Sequence, residues 1–394
     1  MIHAGRVLFA CLLASLNIWT LSMSGAAAGT GLKDLARLEP LAFADLAGWD
    51  ADDHAAAYRA FLRSCRAVDA ASAELRPAQA PQRDLLAICR EALKTPDAGR
   101  AEAKRFFETH FRPRLVVPHT GGGFLTGYYE PEFEGSRTPD ATYRVPLLDR
   151  PQDLVTIPQG ETLPGIEKGL QAARRTANGY APYPDRAAIE DGALGDLARP
   201  IVWLREPGEA FIIHVQGSAR IRLTDGSVMR VAYAGRNGRP YTSIGRLLVQ
   251  QGAMDLESMT LAKLMGWLKD HPEPAKALMR QNGSYIFFRE AAELAPEDGP
   301  IGGAGHPLVP GRSLAVDRSL WAYGLPVWLD GQLPLTLEQA EPLRRLMIAQ
   351  DTGSAIVGPA RGDFFFGSGE EAGRQAGLLR HPVRFVVLEP KPRS

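Results

Sequence analysis

Cysteine is scarce in this 394-residue chain, with three in all. Cys65 and Cys89 fall on stretches with helical spacing, a poor setting for a catalytic thiol, and no Gly-x-Ser-x-Gly is present, so covalent Cys or Ser catalysis finds no support. The eight histidines (His3, His54, His110, His119, His214, His271, His306 and His381) are scattered with no two at ligand spacing, which argues against a metal centre. Charge of one sign is not in excess either, since 45 Lys+Arg meet 45 Asp+Glu. That balance argues against a nucleic-acid binder and against a polybasic membrane binder. Long apolar runs are also missing. The longest, residues 7–21, is broken by Ser15, Asn17 and Thr20 and is shorter than the roughly 20 residues that a spanning helix needs. Gly121-Gly122-Gly123 has no Lys-Ser/Thr after it and reads as a turn, not a phosphate loop.

What is present points to packed β structure. Hydrophobic residues make up 45% of the chain, six Trp are available for cores, and 40 Gly with 30 Pro favour turns and short strands over long helices. At one domain per roughly 150 residues, the length suggests two or three domains. Residues 1–28 have the form of a secretory signal, with Arg6 before the apolar run and Ala26-Ala27-Ala28 for cleavage. An exported, periplasmic protein is therefore expected. Leu8-Phe9-Ala10-Cys11 has the shape of an acylation box but would leave too short a hydrophobic stretch, so lipidation at Cys11 is not expected. Cleavage after Ala28 leaves Cys65 and Cys89 in an oxidising space, and a disulfide between them is expected.

Residues 32–111 read as helical, with breaks at 77–81 and at Pro96. From residue 114 the texture changes to short strands between turn signals, at 114–117, 124–129, 201–203, 211–215, 219–223 and 228–233. Asp225-Gly226 marks a hairpin between the last two. Helices are expected at 185–194, 242–251 and 258–269, and strands return at 285–288, 313–316, 326–329, 347–350, 355–357, 364–366 and 384–388.

Two carboxylates stand in the polar cluster 349–369. Asp363 lies between Gly362 and three phenylalanines, Phe364 to Phe366, a setting that desolvates a carboxyl, raises its pKa and suits it to general acid work. An Asp after Gly also commonly caps a turn, and Asp351 before Thr352-Gly353 reads equally as a turn residue or as a second carboxylate tuning the first. Thr126-Gly127-Tyr128-Tyr129 and Gln216-Gly217-Ser218 carry groups that bind sugars by stacking and hydrogen bonding, although a tyrosine pair on a strand is commonly one core and one surface residue.

Seven stretches in order, LTGYYEP at 125–131, YPDRAAIE at 183–190, FIIHVQGSARI at 211–221, YTSIGR at 241–246, NGSYIFFR at 282–289, GRSLAVD at 311–317, and QDTGSAI at 350–356 with GDFFFGSG at 362–369, together resemble the membrane-bound lytic murein transglycosylase A family. The resemblance spans about residues 115–390. It implies a mainly β, two-domain fold, in which a double-psi β-barrel carries the catalytic aspartate and a second β-barrel is inserted into it. Mapped onto this chain, 29–131 is the N-terminal helical region and the start of the barrel, 132–269 the inserted substrate-binding barrel, and 270–394 the catalytic barrel. Asp363 takes the place of the family's catalytic aspartate and Asp351 that of a second aspartate of the same site. Thr126, Tyr128, Tyr129, Gln216, Gly217, Ser218, Ser284 and Gly353 are the implied substrate-binding residues.

The implied reaction cleaves the β-1,4 bond from N-acetylmuramic acid to N-acetylglucosamine in peptidoglycan, with a 1,6-anhydro product and no cofactor. Glycan strands are the implied partner of a monomer, and association with the outer membrane or with wall enzymes stays open. Gly283 and Ser354 depart from the residues usual in the family, and the acylated cysteine that anchors many members is missing. A hydrolase using Asp351 and Asp363 as acid and base, or a wall-binding protein without turnover, are the alternatives.

Overall fold

The computed structural model describes residues 31–392 except 159, 257 and 337, so the expected signal segment 1–28 lies outside the described residues. Hydrogen bonding organises the strands into two closed rings. In the first, Phe124–Glu130 pairs with Arg361–Ser368, then Ser313–Val316, Ala340–Asp351, Pro326–Pro334 and Arg380–Pro390, and the last returns to Phe124–Glu130. Two of these pairings are parallel, Ser313–Val316 with Ala340–Asp351 and Arg361–Ser368 with Phe124–Glu130. The far end of Arg380–Pro390 carries two further strands, Phe111–Pro118 and Ala36–Pro40. Ala36–Pro40 lies in the part read as helical, and the edge it finds on Phe111–Pro118 draws it into the sheet.

The second ring runs Ile286–Glu290, Val228–Arg236, Ser218–Leu223, Glu132–Ser136, Pro200–Leu204 and Val145–Leu148, and a bridge from Asp149 to Phe288 joins its ends. Its last strand lies beyond Lys269, where the inserted unit was expected to end: Ile286–Glu290 hydrogen-bonds to Val228–Arg236 and places Phe288 in the second core. A three-stranded sheet, Leu154–Thr156, Ala172–Thr176 and Gly179–Pro182, sits beside this ring.

The main core fills the first ring and continues under the helices His54–Asp69, Arg83–Ala92 and Arg100–His110. Cys65 and Cys89 are joined by a disulfide that ties the first two of these helices together. Buried polar groups lock the helices to the barrel. Arg312 makes a two-pronged pair with Asp52, at 2.8 and 2.9 Å, and Gln350 donates to the Ala60 carbonyl and the Ser64 hydroxyl.

Two expected strands are not strands. The apolar run at 211–215 belongs to the helix Pro207–Gln216: Pro207 opens the first turn, the Glu209 carboxylate accepts from the Arg205 and Glu206 N–H groups, and Gly217 at φ +84° ends it. The run is apolar on two faces because Ile213 packs into the second barrel while Phe211 and Ile212 pack under Leu261–Asp270 and Pro272–Met279. Residues 355–357 form a turn in which the Ile356 N–H donates to the Gly353 carbonyl and Asp317 holds the Gly358 N–H.

Candidate active site

The parallel pairing of Arg361–Ser368 with Phe124–Glu130 sets Asp363 directly opposite Thr126 and Phe365 opposite Tyr128. Because strand side chains alternate, Arg361, Asp363 and Phe365 share one face. Phe364, on the other face, enters the main core. The Thr126 hydroxyl donates to Asp363 Oδ1 at 2.5 Å and accepts from Arg361 Nη2 at 2.7 Å, giving a relay from guanidinium through hydroxyl to carboxyl. Phe365 and the Tyr128 ring pack 5.2 Å apart beneath it.

Part of Asp363 faces solvent, yet the atoms crowded around its carboxyl strip it of water. Desolvation pushes its pKa up to about 6, against the opposing pulls of Arg361 and the Thr126 hydrogen bond and with a smaller upward push from Asp351. A carboxyl in this range is partly protonated near neutrality and can both give and take a proton.

Asp351 occupies the mirror position. Ala315, on the strand Ser313–Val316, pairs with Asp363 on one side and with Asp351 on the other, so the two aspartates flank a single central residue. Their environments differ. Asp351 is buried, its Oδ1 accepts from the Gly303 N–H at 2.7 Å and the Thr352 N–H at 2.8 Å, and Arg76 Nη2 stands 3.7 Å away. These contacts fix its carboxyl at the root of the loop carrying Gly353 and Ser354.

The second barrel closes over this side. The Arg76 guanidinium lies on the Tyr233 ring, 4.8 Å from its centre, the Tyr323 hydroxyl donates to the Arg76 carbonyl at 2.9 Å, and Arg236 donates to the Ser354 hydroxyl. Where the chain crosses between the barrels, Glu130 is buried and accepts from Arg220 at 2.9 Å, Arg230 at 2.9 Å and the Ser368 hydroxyl at 2.6 Å.

Of the residues expected at the site, Asp363, Asp351, Thr126, Tyr128 and Gly353 come together. Tyr129, next to Tyr128, turns to the opposite face and packs against Gly373 and Ala376 of the helix Glu370–Leu378; burial pushes its hydroxyl up to about 12. Gln216 holds the Tyr129 backbone, whose N–H donates to its Oε1 at 3.1 Å; Gly217 caps the helix and Ser218 is buried at the start of a strand. Ser284 is buried in the second barrel, where its carbonyl accepts from Arg186.

Arg361, Arg76, Tyr233, Tyr323 and Arg236 were not anticipated. Strand alternation from Asp363 points to Arg361, but the other four lie far away in sequence and only the fold brings them in. Among the described residues, no three His, Cys, Asp or Glu are grouped to hold a metal ion.

Residues 124–289 match the family model described as MltA specific insert domain, and residues 312–389 match the 3D domain. The crystal structure of a membrane-bound lytic murein transglycosylase from Agrobacterium tumefaciens superposes with a TM-score of 0.81 at 37% identity, covering 90% of this chain and 97% of that one. The chain belongs to the membrane-bound lytic murein transglycosylase A family. Within this family, MltA from Neisseria gonorrhoeae is similar at a TM-score of 0.74 and 30% identity, covering 91% of this chain and 94% of that one. The membrane-bound lytic murein transglycosylase A of Vibrio cholerae is 31% identical over 268 residues, 66% of this chain and 64% of its own. The chain thus spans slightly less than two thirds of that curated relative. No described helix is long and apolar enough to cross a membrane.

Proposed function

We propose that the protein is a peptidoglycan lytic transglycosylase that works through a single acid/base group, Asp363. The observation that carries this reading is the raised pKa of a carboxyl held on the Thr126 hydroxyl, in a site bordered by both barrels. Protonated Asp363 gives its proton to the oxygen of the β-1,4 bond between N-acetylmuramic acid and N-acetylglucosamine as an oxocarbenium-like centre forms at C1. The resulting carboxylate then takes the proton of the muramoyl C6 hydroxyl, whose oxygen attacks C1 and closes a 1,6-anhydro ring. Bonds and protons balance without water, and a tethered nucleophile has an effective molarity of about 10⁵ M or more, so one carboxyl suffices.

Asp351 serves as a positioning residue, fixing the Thr352 backbone and drawing Arg76 toward the site. An acid/base pair of the hydrolase type would need Asp351 to handle a water, whereas its Oδ1 is taken up by two backbone N–H groups. In this reading the first ring is a double-psi β-barrel carrying the acid, the second is the inserted substrate-binding unit, and the protein acts on glycan strands in the cell envelope. Mass spectrometry of products released from peptidoglycan tests it. Anhydro muropeptides from the wild type, absent with Asp363→Ala, are expected; products with ordinary reducing ends would replace this reading by hydrolysis.

A further inference from the structure

On the Asp351 side the site adjoins a cavity of about 440 Å³ that the mechanism above leaves unused. It lies between the loop 75–79, the strand Val228–Arg236 and the small three-stranded sheet. Four guanidinium side chains from distant parts of the chain, Arg76, Arg150, Arg236 and Arg318, line it together with Gln79 and Gln171, and among the described residues no carboxylate does. Most are steadied by neutral acceptors. Arg150 donates to the carbonyls of Ala234 and Leu154 at 2.8 and 3.0 Å, Arg318 to the Pro77 carbonyl at 2.8 Å, and Arg236 to the Ser354 hydroxyl. Among the described residues, Arg76 is the one of the four that meets a carboxylate within ion-pair distance, Asp351 at 3.7 Å, and its Nε is buried with no partner.

Arg150 is exposed and Arg76, Arg236 and Arg318 are half-buried, so water screens part of their mutual repulsion, and an anion entering the cavity relieves the rest. Burial pushes the Arg236 guanidinium down to about 10, against an opposing pull from Tyr233 and with smaller downward pushes from Arg76 and Arg318. A neutral sugar would leave those charges uncompensated, and an inorganic anion would fill only a fraction of the space. Guanidinium groups bind carboxylates two-pronged, and the two glutamines offer both donors and acceptors to peptide amides.

We infer that this cavity is a subsite for a carboxylate-bearing peptide arm of the glycan strand whose sugar backbone lies at Asp363. The inference rests on the glycan reading of the site but is tested by binding, independently of turnover.

The test is calorimetry of the full chain with disaccharide-peptide fragments of peptidoglycan, which contain no muramic-to-glucosamine bond to cut, and with the same disaccharide lacking its peptide. The peptide-bearing fragment should bind about tenfold more tightly, the worth of one charge-assisted hydrogen bond, with an advantage that shrinks as salt rises. Arg150→Gln with Arg318→Gln should abolish the advantage and leave affinity for the bare disaccharide unchanged. Arg318→Gln alone, whose side chain holds one carbonyl, should halve it or more and serves if the double variant does not fold. Equal wild-type affinity for the two fragments, or equal losses for both in the variants, would overturn the proposal, as would displacement by inorganic phosphate as effective as by the free peptide. Loss of cleavage on intact peptidoglycan with the binding difference preserved would instead count against the catalytic reading alone.

Discussion

At the scale of the residue, the proposed reaction turns on one carboxyl whose proton is nearly balanced. In the proposed reaction the acid step needs protonated Asp363, so with a pKa of about 6 the rate should be level below that pH and fall as pH rises through it. Thr126→Val removes a hydroxyl that favours the charged form; the descending limb should move to higher pH in a profile of kcat/KM. The same shift bears on stability. Folded Asp363 binds its proton more tightly than the unfolded chain, whose value is near 3.8, so stability is lost as pH rises from about 4 to about 6 and the loss persists above. Asp363→Asn should therefore be inactive yet more stable at pH 7.5, by roughly 1 kcal/mol once partial exposure is discounted, and no more stable at pH 3.5, as thermal melts at the two pH values would report. The desolvated setting of this carboxyl was legible in advance because three phenylalanines follow it directly. Arg76 was not, because a loop arginine carries no local mark of the carboxylate it will meet, and a tyrosine pair on a strand does not reveal which ring shares the face of Asp363.

At the scale of the element, legibility followed local chemistry. The Asp225-Gly226 hairpin formed as its turn residues dictate, with Ser218–Leu223 and Val228–Arg236 antiparallel. The run FIIHV did not form a strand, since an apolar segment bounded by a first-turn Pro and a left-handed Gly suits a largely buried helix just as well. Gly217→Ala should then cost about 1 kcal/mol in denaturant unfolding, because a Cβ disfavours φ +84°. The helices of the N-terminal part are cross-linked where their facing residues are most buried, Cys65 and Cys89 being at 0% and 1% exposure. Replacing both cysteines by serine opens a loop of 24 residues' separation and should lower stability by about 3 kcal/mol, measured as a lower urea midpoint.

At the scale of the whole molecule, the order of the motifs made two β units readable, whereas the closure of each ring was not, because it depends on pairs such as Phe124 with Pro382 and Asp149 with Phe288 that no local pattern announces. What joins the rings is equally invisible in sequence. Glu130, 1% exposed, ends the strand that carries Thr126 and is bound by Ser368 of the first barrel and by Arg220 and Arg230 of the second. Removing it leaves Arg230 buried without its anion, which costs about 3 to 5 kcal/mol in comparable pairs. The loss should fall on the junction more than on either core. Urea unfolding of Glu130→Ala, followed through Trp328 in the first barrel and Trp203 in the second with the other tryptophans replaced, should separate into two transitions where the wild type shows one. A single unshifted transition would mean that the barrels are held together elsewhere. Because Thr126 and Glu130 lie on one strand, the same variant should also loosen the hydroxyl that holds Asp363, and activity should fall even at urea concentrations where both barrels remain folded.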